Sequence, residues 1–267
     1  SPVELTAGQS YMVAVQAVNW AYYYPCSYPS THGNITINSH FYTTASSAMP
    51  SVASTDYCFG FPDMSFVPSG GGTYTLAGTT TVSNVATIST GNTLAMNSQT
   101  LVLSGTGTPL VASGSMSGTG TVQYTGSSAT VTATTYKNLT LGGTGTYTLS
   151  NSNWKIDGNL TVTSGATVTK GSGIVTFGDT ADTITITDNT ASKQDLGAVS
   201  VGNGSAPKSV LLGSNVKVTT FTVNTNAVAS LNGSNTLILT GSGSPLTVGN
   251  FNTSTGTVQY TAATAKT

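Results

Sequence analysis

Arginine is absent from this sequence of 267 residues, and charged residues of all kinds make up only 6% of it. Seven lysines are nearly balanced by eight acidic residues, which gives a net charge of -1. A surface that binds nucleic acid needs clustered positive charge. We therefore expect no nucleic-acid partner, and solubility must come from the abundant Thr, Ser, Asn and Gly residues.

Long apolar runs and catalytic side chains are also scarce. No stretch of about eighteen apolar residues occurs, so this segment is expected to hold no membrane span. No histidine follows His40 and no G-x-S-x-G motif is present. A nucleophilic serine needs a histidine base, and enzymes that cleave polysaccharides need paired carboxylates or a basic residue with calcium ligands. We expect no enzyme, no catalytic residue and no cofactor.

Cysteine is limited to Cys26 and Cys58. A disulfide between them would close a loop of about thirty residues and stabilise the fold by about 3 kcal/mol on the chain-entropy model. Two free thiols, or half of a metal site, are the alternatives. Because no other cysteine is available, the pair predicts a disulfide and hence an oxidising, extracellular or cell-surface location.

The composition and patterning of the sequence change near residue 68. Residues 1–68 carry both cysteines and both histidines, and their apolar runs predict strands at 3–5, 11–18, 35–42 and 57–67. After residue 68, short apolar runs alternate with Thr, Ser and Asn, which is the period of half-buried strands rather than of disorder. The sequence therefore predicts an all-β protein, with a small β-sandwich-like domain at 1–68 followed by repeats at 69–267.

The repeats are visible as recurring strings. Residues 103–124, LSGTGTPLVASGSMSGTGTVQY, return at 239–260 as LTGSGSPLTVGNFNTSTGTVQY. GTYTL occurs at 72–76 and again at 145–149, and YKNLTL at 136–141 is echoed by LGAVSV at 196–201. GTVQY at 120–124 and 256–260 matches GIVTF at 173–177. Self-similarity of this kind is typical of stacked supersecondary units.

Strands this short suit a parallel β-helix, or β-solenoid, in which each coil adds one strand to each of two or three long sheets. A coil of about twenty residues is expected, with each strand pairing to its equivalent one coil later. The intervening Thr and Asn residues would face solvent. The side chains expected to point inward are Leu139, Leu141, Tyr147, Leu149, Leu160 and Val162.

GTVQY, YKNLTL and GTYTL, followed by GNLTV and SGATV, together resemble the β-strand repeats of bacterial and archaeal surface proteins. That family is built as right-handed parallel β-helices and is associated with adhesins and cell-surface fibres. Residues 5–18, LTAGQSYMVAVQAV, resemble the late strands of jelly-roll modules in large secreted surface proteins. The sequence departs from the repeat pattern at 208–212, where KSVLL replaces the GTYTL strand.

Two groups of side chains are candidate sites. The aromatic cluster Trp20, Tyr22, Tyr23, Tyr24 and Tyr28 could stack on sugar rings or contact a neighbouring subunit, and the alternative is a loop packed on its own domain. Asp179, Asp182 and Asp188, with Asp195 nearby, are a candidate calcium site, and the alternative is a loop made soluble by charge. No other metal site is expected.

Six sequons of the N-x-Ser/Thr type are candidate N-glycosylation sites. Asn138 and Asn159 come directly before predicted strands, at corners from which a glycan would project. A glycan coat would keep a nearly uncharged fibre soluble. The six asparagines are Asn34, Asn138, Asn159, Asn203, Asn232 and Asn252.

These features predict an extracellular structural protein, a segment or subunit of a cell-surface filament, stalk or adhesin. The alternative is a glycan-binding module of a secreted surface protein, in which the aromatic cluster engages surface glycans. The pattern stops at 260–267 just after GTVQY. We therefore expect the last coil to be continued by further repeats of the same chain or by a head-to-tail copy.

Overall fold

The computed structural model describes residues 71–178, 183–202 and 208–262, together with the backbone of six short strands among the first 70 residues. The chain divides into two compact units, Ser1–Ser69 and Gly70–Thr267. No helix in the described part is long and apolar enough to cross a membrane.

The described strands of the first unit form three antiparallel pairs, β1 with β6, β2 with β3, and β4 with β5. The stretch 35–42, predicted as one strand, is divided into two strands that pair with different partners. The expected β-sandwich stays a prediction. The bounds are β1 Tyr22–Tyr23, β2 Ser30–His32, β3 Ile35–Ile37, β4 His40–Tyr42, β5 Val52–Ser54 and β6 Cys58–Phe59.

From Thr73 onward the chain forms a parallel β-solenoid of about eight turns, which confirms the predicted architecture of the repeats. Successive strands fall on three faces in cyclic order, except that one turn has no strand on the second face. The first face is one continuous sheet of nine strands. It consists of β8 Thr80–Val82, β11 Thr100–Leu103, β14 Thr121–Tyr124, β17 Asn138–Leu141, β20 Leu160–Val162, β23 Thr183–Asp188, β25 Lys208–Leu212, β28 Ala227–Leu231 and β31 Phe251–Asn252.

The other two faces are divided into shorter sheets. The second face consists of β9 Ala86–Ile88, β12 Leu110–Ala112, β15 Ser128–Thr130, β18 Thr146–Thr148, β21 Thr167–Thr169, β26 Val216–Val218, β29 Thr236–Leu239 and β32 Thr257–Tyr260. The third face consists of β7 Thr73–Thr75, β10 Thr93–Ala95, β13 Ser115–Ser117, β16 Thr135–Tyr136, β19 Trp154–Ile156, β22 Ile174–Phe177, β24 Ala198–Val201, β27 Thr220–Val223 and β30 Leu246–Val248.

The core is a set of apolar columns that run from turn to turn. In β17 and β20, Leu139 pairs with Leu160 and Leu141 pairs with Val162, and all four side chains are buried. Tyr147 and Leu149 are buried as well, so the six side chains predicted to face inward do so. Since side chains alternate along a strand, Thr140 and Thr161 between them face outward.

The structure corrects the predicted equivalence of the longer echoes. Asn138–Leu141 lies on the first face, whereas its supposed echo Ala198–Val201 lies on the third. Lys208–Leu212 also belongs to the nine-stranded first face, so it does not replace the GTYTL strand, whose second copy forms β18 on the second face. A recurring string therefore predicts a strand followed by a corner. The face of the solenoid on which that strand lies depends on how many strands precede it along the chain.

Candidate functional site

The aromatic cluster and the cysteines lie largely outside the described residues. Tyr22 and Tyr23 form β1, and Tyr23 is the backbone partner of Cys58 in β6. Trp20, Tyr24, Tyr28 and Cys26 lie outside the described residues. The Cys26–Cys58 disulfide and the glycan or subunit contact therefore stay predictions.

A tyrosine network occupies the interior of the solenoid. Tyr124 ends β14, and its hydroxyl lies 3.0 Å from the hydroxyl of Tyr136. The Tyr136 hydroxyl donates to the Thr132 carbonyl at 2.7 Å, and the Thr132 N–H donates to the Tyr124 oxygen at 3.3 Å. The Tyr147 hydroxyl donates to the carbonyl of Gly142. Of these tyrosines only Tyr147 was predicted to be inward, although the alternation of GTVQY also places Tyr124 on the inner side.

This network is closed to substrates. Tyr124, Tyr136 and Tyr147 are all fully buried. Burial raises the pKa of each phenol, and it raises that of Tyr136 well above the ordinary value, with the neighbouring Tyr124 adding to the shift. The phenols therefore stay protonated and serve as internal hydrogen-bond donors, which satisfies polar atoms inside the core.

Asp188 occupies an inward position at the end of β23, where it follows Val162 in an apolar column. Its side chain is 1% exposed. One carboxylate oxygen accepts from the Thr190 N–H at 2.9 Å and from the Thr190 hydroxyl at 2.6 Å. The other accepts from the Gln194 N–H at 2.6 Å. Asp188 thus holds the loop at 189–195 by charge-assisted hydrogen bonds.

The calcium prediction concerned the same stretch. Asp179 and Asp182 lie outside the described residues, so the prediction that they bind calcium with Asp188 stays untested. Both oxygens of Asp188 already accept hydrogen bonds from the protein. Within the described residues no group of three or more His, Cys, Asp or Glu side chains is placed to hold a metal ion.

The second face has no strand between β21 and β26, and Asp195 lies at this position. Its carboxylate lies 2.8 Å from the Lys170 ammonium and accepts from the Thr240 hydroxyl at 2.9 Å and the Gly197 N–H at 3.0 Å. Burial pushes the pKa of Asp195 up, but these hydrogen bonds and the Lys170 charge outweigh it and lower the pKa overall. The cluster links several turns, so its evident role is structural.

Asn138 and Asn159 form a ladder at the corner that leads into the first face. The Asn138 amide donates to the Thr119 carbonyl at 2.8 Å. Its oxygen accepts from the Asn159 N–H at 2.9 Å, and the Asn159 oxygen accepts from the Thr185 N–H at 2.8 Å. A glycan on the Asn138 nitrogen would replace one of its two hydrogens and place a sugar beside the carbonyls of Thr119 and Gly120, which this nitrogen contacts. The ladder therefore favours a structural role for Asn138 in the folded protein.

The remaining sequons lie outside this ladder. Asn232 is exposed in a turn, and Asn252 is exposed in β31 with its side-chain oxygen accepting from the Ser254 N–H at 2.9 Å. Asn34 and Asn203 lie outside the described residues. Asn159, Asn232 and Asn252 are thus the described sequon asparagines that are exposed, and glycosylation of any of the six stays a prediction.

A shallow, open depression of about 230 Å³ lies on the outside of the third face. Its floor and sides carry hydroxyl, amide and aliphatic groups and no titratable side chain. The lining residues are Asn153, Ile174, Thr176, Ala198, Val199, Ser200, Thr220 and Thr222. None of the residues that line this depression can act as a general base or a general acid.

No family model, curated protein or solved structure matches this chain significantly.

Proposed function

We propose that this chain is an extracellular structural protein, a segment or subunit of a cell-surface filament, stalk or adhesin of the kind its repeats resemble. The observation that carries the proposal is the uninterrupted nine-stranded parallel sheet of the first face. Strands stacked about 4.8 Å apart make such a sheet roughly 40 Å long. Every turn is hydrogen-bonded to the next, which gives a stiff spacer.

The last described turn supports continuation by a similar turn. Leu237 pairs with Val258, and Leu239 pairs with Tyr260. Both leucines are fully buried, whereas Tyr260 is 40% exposed and Val248 on the third face is 50% exposed. The apolar columns therefore reach the surface at this turn. We propose that a further repeat of the same chain, or a second copy packed head to tail, covers them.

Localisation tests the structural role. Antibodies raised against residues 70–267 should label filaments or stalks on intact cells of the source organism in immunogold electron micrographs. Labelling that requires permeabilised cells and is confined to the cell interior would refute the proposal.

Assembly is tested separately by multi-angle light scattering of the purified chain across a wide concentration range. A mass that grows with concentration, together with linear particles in negative stain, supports head-to-tail packing. A monodisperse monomer at high concentration would refute the copy-to-copy contact and leave continuation by further repeats, without affecting the localisation test.

A further inference from the structure

The second face of the solenoid carries a regular grid of hydroxyl groups. In β15, β18 and β21 the pattern is exposed, buried, exposed. Ser128, Thr146 and Thr167 pair with one another in register, as do Thr130, Thr148 and Thr169. The three central side chains point inward, so each strand offers two outward hydroxyls. The six exposed residues therefore form two parallel rows.

The grid ends where the preceding turn meets β15 at a corner. Gly107 forms an isolated parallel bridge with Ala129, the centre of β15. Its neighbours Thr106 and Thr108 are both exposed. The Gly107 N–H donates to the Ser128 carbonyl at 2.9 Å. Gly107 adopts a φ of 70°, so Thr106 and Thr108 lie at a corner and do not continue the two rows. The hydroxyl grid is thus defined as Ser128, Thr130, Thr146, Thr148, Thr167 and Thr169.

The hydroxyls of the grid are free to bind an external ligand. Within the described residues none of the six side-chain hydroxyls makes a hydrogen bond to the protein. Threonines at corners behave differently, since the Thr125 hydroxyl donates to the Leu103 carbonyl at 3.4 Å and the Thr132 hydroxyl donates to the Leu110 carbonyl. The grid therefore keeps its full hydrogen-bonding capacity on its outer side.

The grid is also rigid and uncharged. Threonine is stiff at its first side-chain torsion, and the strands fix hydroxyls at about 4.8 Å between rungs and about 6.7 Å along each strand. Beneath the rows, Tyr147 is fully buried. The adjacent charges, Lys170 and Asp195, are paired with each other at 2.8 Å. No exposed aromatic ring, on which a sugar would stack, belongs to the grid.

We propose that this hydroxyl grid binds ice. A regular array of outward hydroxyl groups, with threonine methyl groups beside them and two fixed repeat distances, orders water at matching intervals and presents it to the oxygen lattice of a crystal face. Ice is an uncharged ligand with a regular lattice, and the hydroxyl grid is an uncharged surface with regular spacing. A soluble glycan would instead need a concave or aromatic site. This inference does not depend on the role proposed for the solenoid in a surface fibre.

The experiment compares the full chain with two matched variants in ice-recrystallisation and thermal-hysteresis assays. The wild-type chain should inhibit recrystallisation and shape ice crystals. Thr148→Tyr places a bulky ring in the centre of the grid and should abolish both effects. Thr87→Tyr makes the same change at an exposed outward position in β9, outside the grid, and should retain them.

Far-UV circular dichroism and thermal unfolding establish that each variant is folded. Thr130→Tyr in the same grid replaces Thr148→Tyr if the latter does not fold. The proposal is refuted if the wild-type chain affects ice no more than an inert protein of equal size. It is equally refuted if a folded grid variant retains the activity, or if Thr87→Tyr loses it in parallel.

Discussion

Residues 103–124 and 239–260 share one sequence pattern but occupy different surroundings. Each copy completes one turn, because Leu103 pairs with Tyr124 and Leu239 pairs with Tyr260. The first copy begins and ends on the first face, and the second copy begins and ends on the second face. Gly107 and Gly243 adopt φ values of 70° and 72° at equivalent corners. The pattern therefore determines the shape of a turn and leaves its face undetermined.

Burial also differs between the copies. Tyr124 is fully buried under the following turns, while Tyr260 is 40% exposed. The same GTVQY string thus provides a core residue in one place and a surface residue in the other. Stacking neighbours, rather than the string itself, decide how much each copy contributes to stability.

Charged substitutions at the shared leucines should have the largest effect. Leu103 and Leu239 are both fully buried, so Leu103→Asp and Leu239→Asp each place an unpaired carboxylate in an apolar column. We expect each variant to lose more than about 4 kcal/mol of unfolding free energy, measured by denaturant titration. A Leu239 variant that unfolds like the wild type would show that the two copies do not share an inward register.

Truncation of the last tyrosine of each copy should lower the unfolding free energy by different amounts. Tyr124→Ala removes a buried ring and its hydrogen bond to Tyr136, which should cost about 3–5 kcal/mol. Tyr260→Ala removes a half-exposed ring and should cost less than about 1 kcal/mol. Chemical denaturation of both variants provides the measurement. Equal losses would mean that Tyr260 is covered in solution, as it would be by a packed copy.

The corner after the third strand of each copy provides a subtler contrast. Gly118 has a φ of 91°, and its equivalent Ser254 has a φ of 48°. A Cβ built on Gly118 would lie 2.6 Å from the backbone nitrogen of Asn97. Gly118→Ser should therefore cost about 1–3 kcal/mol, whereas Ser254→Gly should be neutral within about 1 kcal/mol. Thermal melting of the reciprocal pair checks this, and similar melting temperatures for both would contradict it.

The sequence predicts strands and inward positions well, because alternation is a local property. Leu139, Tyr147 and Leu160 were assigned to the core from period-two patterning alone, and they are buried. The face of each strand could not be predicted from the recurring strings. It depends on a count of strands along the chain, and that count is altered where the loop at 189–195 replaces a second-face strand.

Sites were harder to predict than the fold. Asp188 stands at a position where alternation demands an apolar residue, and only the contacts from Thr190 and Gln194 explain it. In the sequence Asn138 is recognisable only as part of a sequon. The motif does not show which groups form hydrogen bonds with its side-chain amide. The hydroxyl grid was missed because its rungs are unequally spaced along the chain and align only through strand register.

The smallest expected effect concerns pH and the first corner of each copy. The single hydroxyl proton of Thr240 in the second copy is shared between Asp195 at 2.9 Å and the Val218 carbonyl at 3.2 Å, whereas the hydroxyl of its equivalent Ser104 donates to the Val82 carbonyl. Since the pKa of Asp195 is lowered in the folded protein, its carboxylate contributes stability that is complete above the ordinary carboxyl pKa of about 3.9. That contribution is lost as the pH falls from there through the lowered folded pKa.

Thr240→Ala should therefore have a pH-dependent cost and Ser104→Ala a constant one. Above pH 5 the Thr240 variant loses a hydrogen bond to the charged Asp195, and below the folded pKa of Asp195 it loses a hydrogen bond to neutral acceptors only. The difference in melting temperature between Thr240→Ala and the wild type should thus shrink on acidification, while that of Ser104→Ala stays level. Parallel pH profiles for the two variants would show that the second copy gains nothing from the Asp195 cluster.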